Sequence, residues 1–376
     1  MSGYKRKIFY LSGFDPRGAR FYHQMFGEQA DRFCATTGHM VAVGKREKLP
    51  PHSTRWSVKN AGQDSKTDYV YLGWDDVVRH HWVKNPFRLV ARSIRAYWHF
   101  LTRVDWSIFR RFPQGTKITI YYPGVSAILL PILCGLLLWL PARWLIDWPW
   151  DLAIATAIGV AVGLIIVRKI QGFWLIRFII FNDMLARRGL PDDVAERMNE
   201  FARMIARSFD EPWDEILLVS HSNGSIMSIP ILDRLIAVCG RALPDHFSFV
   251  SLGSCITLVS ARRDATAFRA ALDRVSQADF RWLDLNSITD GACIAGLDPC
   301  VTCPADRRVH LLQLSPRWFK YIEPAAYKAQ KRNKYEVHFN YLRSFDRVSA
   351  LDYMAMSTGA RSLPDSIEAF RADTDA

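Results

Sequence analysis

Residues 214–238 read DEILLVSHSNGSIMSIPILDRLIAV and place Ser222 where an apolar run turns into a helical pattern. Ser220 and Gly224 stand two positions to either side. Small residues at those places allow a tight strand-to-helix turn that lifts a hydroxyl clear of the sheet, so Ser222 is a candidate nucleophile. So short a pattern recurs by chance, and the alternative is a serine in an ordinary strand–helix turn; the strand and helix around it carry the weight.

A nucleophilic serine needs a base, and the base needs a group to orient it. Three histidines follow Ser222: His246, His310 and His338. His246 precedes a strand, and His310 sits inside the alternating run RVHLLQL. His338 comes after the last strand, where a loop can bring it over the serine, so it is preferred to His310. For the acid, FRWLDLNSITDG offers Asp284 within a strand and Asp290 in the loop beyond it, with Asp298 further on in GLDPC. Asp290 is the best placed and Asp298 second. Any single aspartate can equally be a turn or cap residue. An oxyanion needs backbone donors, expected from the Asn223 amide just after the nucleophile and the Phe14 amide in LSGFDPRG, where Gly13 permits a close turn.

The elements that must hold these residues alternate. Strands are predicted at 7–11, 40–43, 54–58, 68–72, 215–219, 247–252, 280–285 and 309–314. Helices are predicted through Phe26 and Phe33, then at 87–104, 191–208, 225–238, 265–275 and around Met354. Such alternation implies a mostly parallel sheet flanked by helices, an α/β class. The last ten or so residues read as frayed.

Two apolar runs interrupt the pattern. Residues 124–140 and 152–167 hold 17 and 16 residues without a charge. Tyr121, Tyr122, Trp148 and Trp150 extend them towards the ~20 residues of a bilayer span, giving spans at about 121–140 and 149–167 joined as a hairpin. Buried core helices are the alternative. Pro131 is expected to kink the first. Eight Lys and Arg precede the hairpin between residues 84 and 117, five follow between 168 and 188, and the connection has only Arg143. That bias turns both ends to the cytoplasm. Residues 172–181 are expected to form an interfacial helix. In residues 87–104, an apolar stripe (Phe87, Val90, Ile94, Tyr97, Trp98, Leu101) runs beside Arg88, Arg92, Arg95, His99 and Arg103. It fits either the membrane interface or a helix packed on the sheet.

The net charge of +12 accompanies no zinc-finger spacing, RNP signature or basic repeat, which argues against a nucleic-acid partner. Seven cysteines without framework spacing read as free thiols, and Cys300-x-x-Cys303 alone is weak evidence for metal or redox chemistry. Asp75, Asp76, His80 and His81 make a further weak metal candidate. There is no P-loop and no GxGxxG, so no cofactor is expected.

With SHSNG at 220–224, SGF at 12–14, Asp290 and His338 in that order, the chain resembles the α/β-hydrolase superfamily, in particular its lipase and esterase-like members. Ser220 departs from the usual glycine, and the oxyanion loop lacks the usual leading histidine. The resemblance implies a Ser222–His338–Asp290 triad, no metal, and hydrolysis through an acyl-enzyme. It also implies one hydrolase domain split by the hairpin: an N-terminal part at 1–112 with the basic amphipathic helix, the hairpin at 113–181, and a C-terminal part at 182–376 carrying the triad. The expected protein is an integral membrane serine hydrolase, of a bacterial inner membrane, with its catalytic domain and termini cytoplasmic. Its partners would be membrane lipids and an acyl ester or thioester substrate. A non-catalytic binding or scaffold protein, or an acyltransferase using the same site, are the alternatives.

Overall fold

The computed structural model describes residues 3–375. Among them nine strands form one mixed sheet: β1 (Tyr4–Leu11), β2 (Val41–Val43), β3 (Glu47–Leu49), β4 (Ser53–Asn60), β5 (Ser65–Tyr71), β6 (Glu215–His221), β7 (Phe247–Leu252), β8 (Arg281–Leu285) and β9 (His310–Leu314). The order is β2-β4-β5-β1-β6-β7-β8-β9, with β3 also on β4. From β5 to β9 the neighbours are parallel. β4 is antiparallel to β5, and β2 and β3 are antiparallel to β4. Sequence periodicity carries no strand direction, so this antiparallel edge was not expected.

Period-two alternation sorts the strand side chains to two faces. Phe9, Leu11, Ile216, Leu218, Phe247 and Phe249 pack on one side. Ile8, Tyr10, Leu217, Val219, Val250 and Leu252 pack on the other. Helices cover both. On the first side lie α2 (Asp75–His81), α7 (Gly172–Arg188), α8 (Asp192–Ser208), α9 (Asn223–Cys239), α10 (Ile256–Ser260) and α11 (Thr266–Ser276); on the second lie α1 (Gly18–Thr37) and the C-terminal helices, while the short α4 (Trp106–Phe109) packs in a smaller cluster through Phe109. The frayed end is corrected: Leu363–Asp375 is a helix, and Leu363 and Phe370 are buried in the second core.

β1 sits between β5 and β6, and the connections leaving β1 and β6 run to opposite sides. In open α/β sheets ligands bind at the carboxyl ends of strands where the order reverses in this way. Here that place is the loop after Leu11 and the turn after His221.

Two helices, α5 (Gln114–Ala142) and α6 (Trp150–Lys169), are long and apolar enough to cross a membrane. Core burial does not account for them, since Ile132, Leu136, Leu137 and Leu140 of α5 and Ile165 of α6 are each at least half exposed. Each helix packs on the other through small residues. A Cβ on Gly159 would lie 2.3 Å from Gly135 Cα, and one on Gly163 would lie 2.5 Å from Pro131 Cα. Glycines spaced by four let the two backbones meet closely. α5 continues as helix through Pro131.

One helix beside the hairpin differs from expectation, and for a second the structure shows which way its apolar stripe faces. Residues 172–181 belong to the continuous α7, and Ile176, Ile179, Ile180 and Phe181 are buried. Arg177, which broke the apolar run, donates to the Val83 and Phe173 carbonyls at 2.8 and 2.9 Å, so this charge is absorbed by backbone acceptors. The amphipathic helix α3 (Pro86–Arg103) packs inward through Leu89, Ala96 and Phe100. Its apolar stripe faces out, with Phe87 83% and Trp98 65% exposed. Tyr97 ties α3 to α5 at the start of the span: its hydroxyl donates to the Ile120 carbonyl at 2.9 Å and accepts from the Gly124 amide at 3.2 Å.

Candidate active site

Between His221, the last residue of β6, and Asn223, the first of α9, Ser222 adopts φ 56°, ψ −125°. The chain passes from strand to helix at this one residue, and does so through a positive φ. Two glycines make room. A Cβ on Gly224 would lie 2.4 Å from the Leu11 carbonyl oxygen, so α9 presses directly on the end of β1. A Cβ on Gly13 would lie 3.1 Å from Ser222 Cβ, so the loop after β1 lies against the serine.

That loop is a tight turn, closed by Asp15 N–H donating to the Gly13 carbonyl at 2.7 Å. The buried Asp15 carboxylate accepts from Arg17 and from the Tyr22 hydroxyl. The Phe14 ring stacks between Trp82 and Phe181, and the Phe14 carbonyl accepts from Trp174 Nε1 at 2.9 Å. The Asn223 amide opens α9, so it is one of the four N–H groups a helix leaves without an internal partner.

His338 ends the short helix Lys334–His338, and Asp290 lies in the loop beyond β8. The structure brings them together: His338 Nδ1 donates to Asp290 Oδ2 at 2.8 Å. Asp290 Oδ1 accepts from the Ala292 amide at 2.9 Å, and the carboxylate is fully buried. Burial pushes its pKa up, but His338 and the Ala292 amide outweigh this and hold it below the usual carboxylate value. With Nδ1–H directed at Asp290, His338 Nε2 is left as the acceptor a general base requires.

Ser222, His221 and His338 line one cavity of about 780 Å³. Among the described residues Ser222 Oγ makes no hydrogen bond to His338. Catalytic contacts are often long without substrate and tighten when it binds.

His221 is a partner the sequence reading passed over, although it stands inside SHSNG. Its Nε2 donates to the His338 backbone carbonyl at 2.9 Å. Burial, aided by the nearby His338, brings its pKa down to about 3, so it is a neutral donor at physiological pH. Trp174 was also passed over, because residues 172–181 are expected from sequence to form an interfacial helix. The root of α5 is a third: Thr116 Oγ1 donates to the Cys293 carbonyl, and a Cβ on Gly291 would lie 2.7 Å from Thr119 Oγ1. Both ends of the hairpin therefore grip loops of the site, α5 on the Asp290 side and α7 on the Phe14 side.

The alternatives fall elsewhere. His310 is exposed and pairs with Asp279 at 3.0 Å. Asp298 pairs with Arg307 and accepts from the Cys300 amide. Asp284 is buried within a network of Ser251, Asn286 and Gln313, and burial raises its pKa to about 6. The Asp75–Asp76–His80–His81 grouping is not formed: Asp75 pairs with Arg79 and Asp76 with Arg197. Helical geometry turns the two histidines to Asp193 instead, and the three offer ligand atoms within 4.8 Å of one another. His80 is largely exposed there. Cys300 and Cys303 are free thiols.

Comparison with known proteins finds no matching family model, no matching curated protein and no matching solved structure.

Proposed function

We propose that this protein is a membrane-anchored serine hydrolase of α/β-hydrolase type, cleaving acyl esters or thioesters through an acyl-enzyme on Ser222. The observation that carries the reading is a serine on a strained elbow sharing a cavity with a histidine bonded to a buried aspartate. Its location at the switch point of the sheet is independent support.

Ser222 Oγ attacks the acyl carbonyl carbon while His338 Nε2 takes the hydroxyl proton. Asp290 holds the imidazole and stabilises its cation. The oxyanion forms against the Phe14 and Asn223 amides, where one donor contributes about 3–4 kcal/mol of transition-state stabilisation. Collapse expels the alcohol or thiol, which takes the proton from His338. Water, activated by His338, then frees the acid and restores the serine.

The hairpin of α5 and α6 anchors this site, with both ends cytoplasmic by the Lys and Arg bias. α3 lies in the interface beside it: its outward apolar stripe would otherwise be exposed to water, and its arginines suit anionic headgroups. Fluorophosphonate labelling of the full-length protein in membranes tests the reading. Wild type labels, while Ser222→Ala and His338→Ala do not. Equal labelling of Ser222→Ala removes Ser222 as nucleophile. Products chased with water and with an alcohol acceptor separate hydrolysis from acyl transfer.

A further inference from the structure

The cavity that holds Ser222 is walled by the roots of the membrane hairpin. On one side are Ile118, Ile120 and Tyr122 of α5; on the other are Ile170, at the end of α6, and Leu175 and Phe178 of α7. No charged residue occurs from Ile118 to Ala142, so the cavity wall already belongs to the apolar run of α5. Residues 118 to 122 rise only about 6 Å along a helix. Tyr122 closes the joint by donating to the Ile170 carbonyl at 2.9 Å. Ile118 is 57% and Ile170 40% exposed, so the apolar wall is continuous with the outer surface where the spans begin.

The exposed charges on this cavity have one sign. Lys169, Arg332 and Lys334 line it and are exposed. Its carboxylate, Asp15, is buried and already ion-paired with Arg17. An apolar wall reaching the bilayer, crowned by unneutralised cations, fits one class of ligand: an amphiphile with an acyl chain and an anionic headgroup.

We infer that the substrate is an acyl ester of an anionic membrane lipid, drawn sideways from the cytoplasmic leaflet into this cavity. The inference rests on the Ser222 reading. The acyl chain lies along Ile118, Ile120, Leu175 and Phe178, and the headgroup meets Lys169, Arg332 and Lys334. The acyl ester bond to the lipid's glycerol oxygen exchanges for one to Ser222 Oγ, and the lysolipid leaves as the alcohol, its glycerol oxygen taking the proton from His338. Water then gives the fatty acid and regenerates Ser222.

The test uses the full-length protein in phosphatidylcholine vesicles. One set contains ester-linked phosphatidylglycerol, and the other holds the same surface charge with ether-linked phosphatidylglycerol, which cannot be cleaved. Phosphatidylglycerol is expected to be cleaved at least tenfold faster than phosphatidylcholine at equal mole fraction. Lys169→Glu, Arg332→Glu and Lys334→Glu together are expected to bring that ratio close to one; the single variants serve if the triple variant does not insert. Leu175→Trp, which fills the cavity, is expected to slow cleavage of both lipids. Equal rates for the two lipids in wild type, or faster cleavage of a water-soluble acyl thioester than of either, overturns the inference. Two readouts separate it from the reading beneath it. Fluorophosphonate labelling of Ser222 without lipid preference leaves the hydrolase and removes the lipid. A diazirine-bearing phosphatidylglycerol that cross-links to cavity residues of a protein that cleaves no ester leaves the lipid and removes the hydrolase.

Discussion

Ser222→Gly and Ser222→Ala delete the same hydroxyl but differ in what they do to the backbone. The Ser222 angles, φ 56° and ψ −125°, are those of the first central position of a type II′ turn, which glycine favours. A side chain held there costs about 1–3 kcal/mol. Alanine keeps that strain and glycine removes it. The greater freedom of glycine in the unfolded chain offsets about 0.5–1 kcal/mol. The net expectation is that Ser222→Gly is more stable than Ser222→Ala by about 1 kcal/mol. Roughly 300 residues outside the hairpin, at about 2.1 cal/mol/K each, give an unfolding entropy near 0.6 kcal/mol/K. One kcal/mol therefore corresponds to about 1–2 °C in Tm. The assay is thermal unfolding of both proteins in one detergent, followed by near-UV circular dichroism. Both variants should fail to label with fluorophosphonate. A Ser222→Gly that melts with or below Ser222→Ala would show that no strain is stored at the elbow.

Asp290→Asn is expected to lower kcat by about 10⁴, because the amide leaves His338 in the wrong tautomer. Asp298→Asn, whose partners are Arg307 and the Cys300 amide, is expected to change kcat less than about twofold; similar losses in both variants would refute the assignment. Trp174→Phe removes the donor to the Phe14 carbonyl and is expected to cost about 0.5–1.5 kcal/mol, up to roughly tenfold in kcat with KM little changed, as steady-state kinetics would show. Burial raises the Asp352 pKa from 3.8 to about 7, so the folded state keeps a proton that the unfolded chain releases. Its stabilisation is complete below pH 3.8 and is lost as pH rises towards 7. Asp352→Asn keeps the cap on Met354 N–H and should raise Tm at pH 8 but not at pH 4; an equal shift at both would contradict a raised pKa.

Local pattern was enough for much of this protein. The apolar run at 215–219 and the small residues around Ser222 forecast a strand–turn–helix, and β6, Ser222 and α9 occupy those positions. Uninterrupted apolarity marked both long helices, because bilayer thickness is written as a count of apolar residues. Strand direction was not legible, since side-chain alternation is the same in parallel and antiparallel ladders; the antiparallel β2–β4 edge appeared only in the sheet. Nor did the stripe on α3 say which way it faced, because an apolar surface looks alike to a core and to lipid.

The order of residues along the chain names the groups able to react. Tertiary structure chose among them. It joined Asp290 to His338 across 48 residues, and left His310 and Asp298 with other partners. It also set the hairpin roots against the Phe14 and Asp290 loops, through Trp174, Thr116 and Gly291. The physical reason is range. Propensity, periodicity and capping act within a few residues, so they can be read along the chain. Which aspartate meets which histidine depends on the packing of distant elements, and nothing local carries that information.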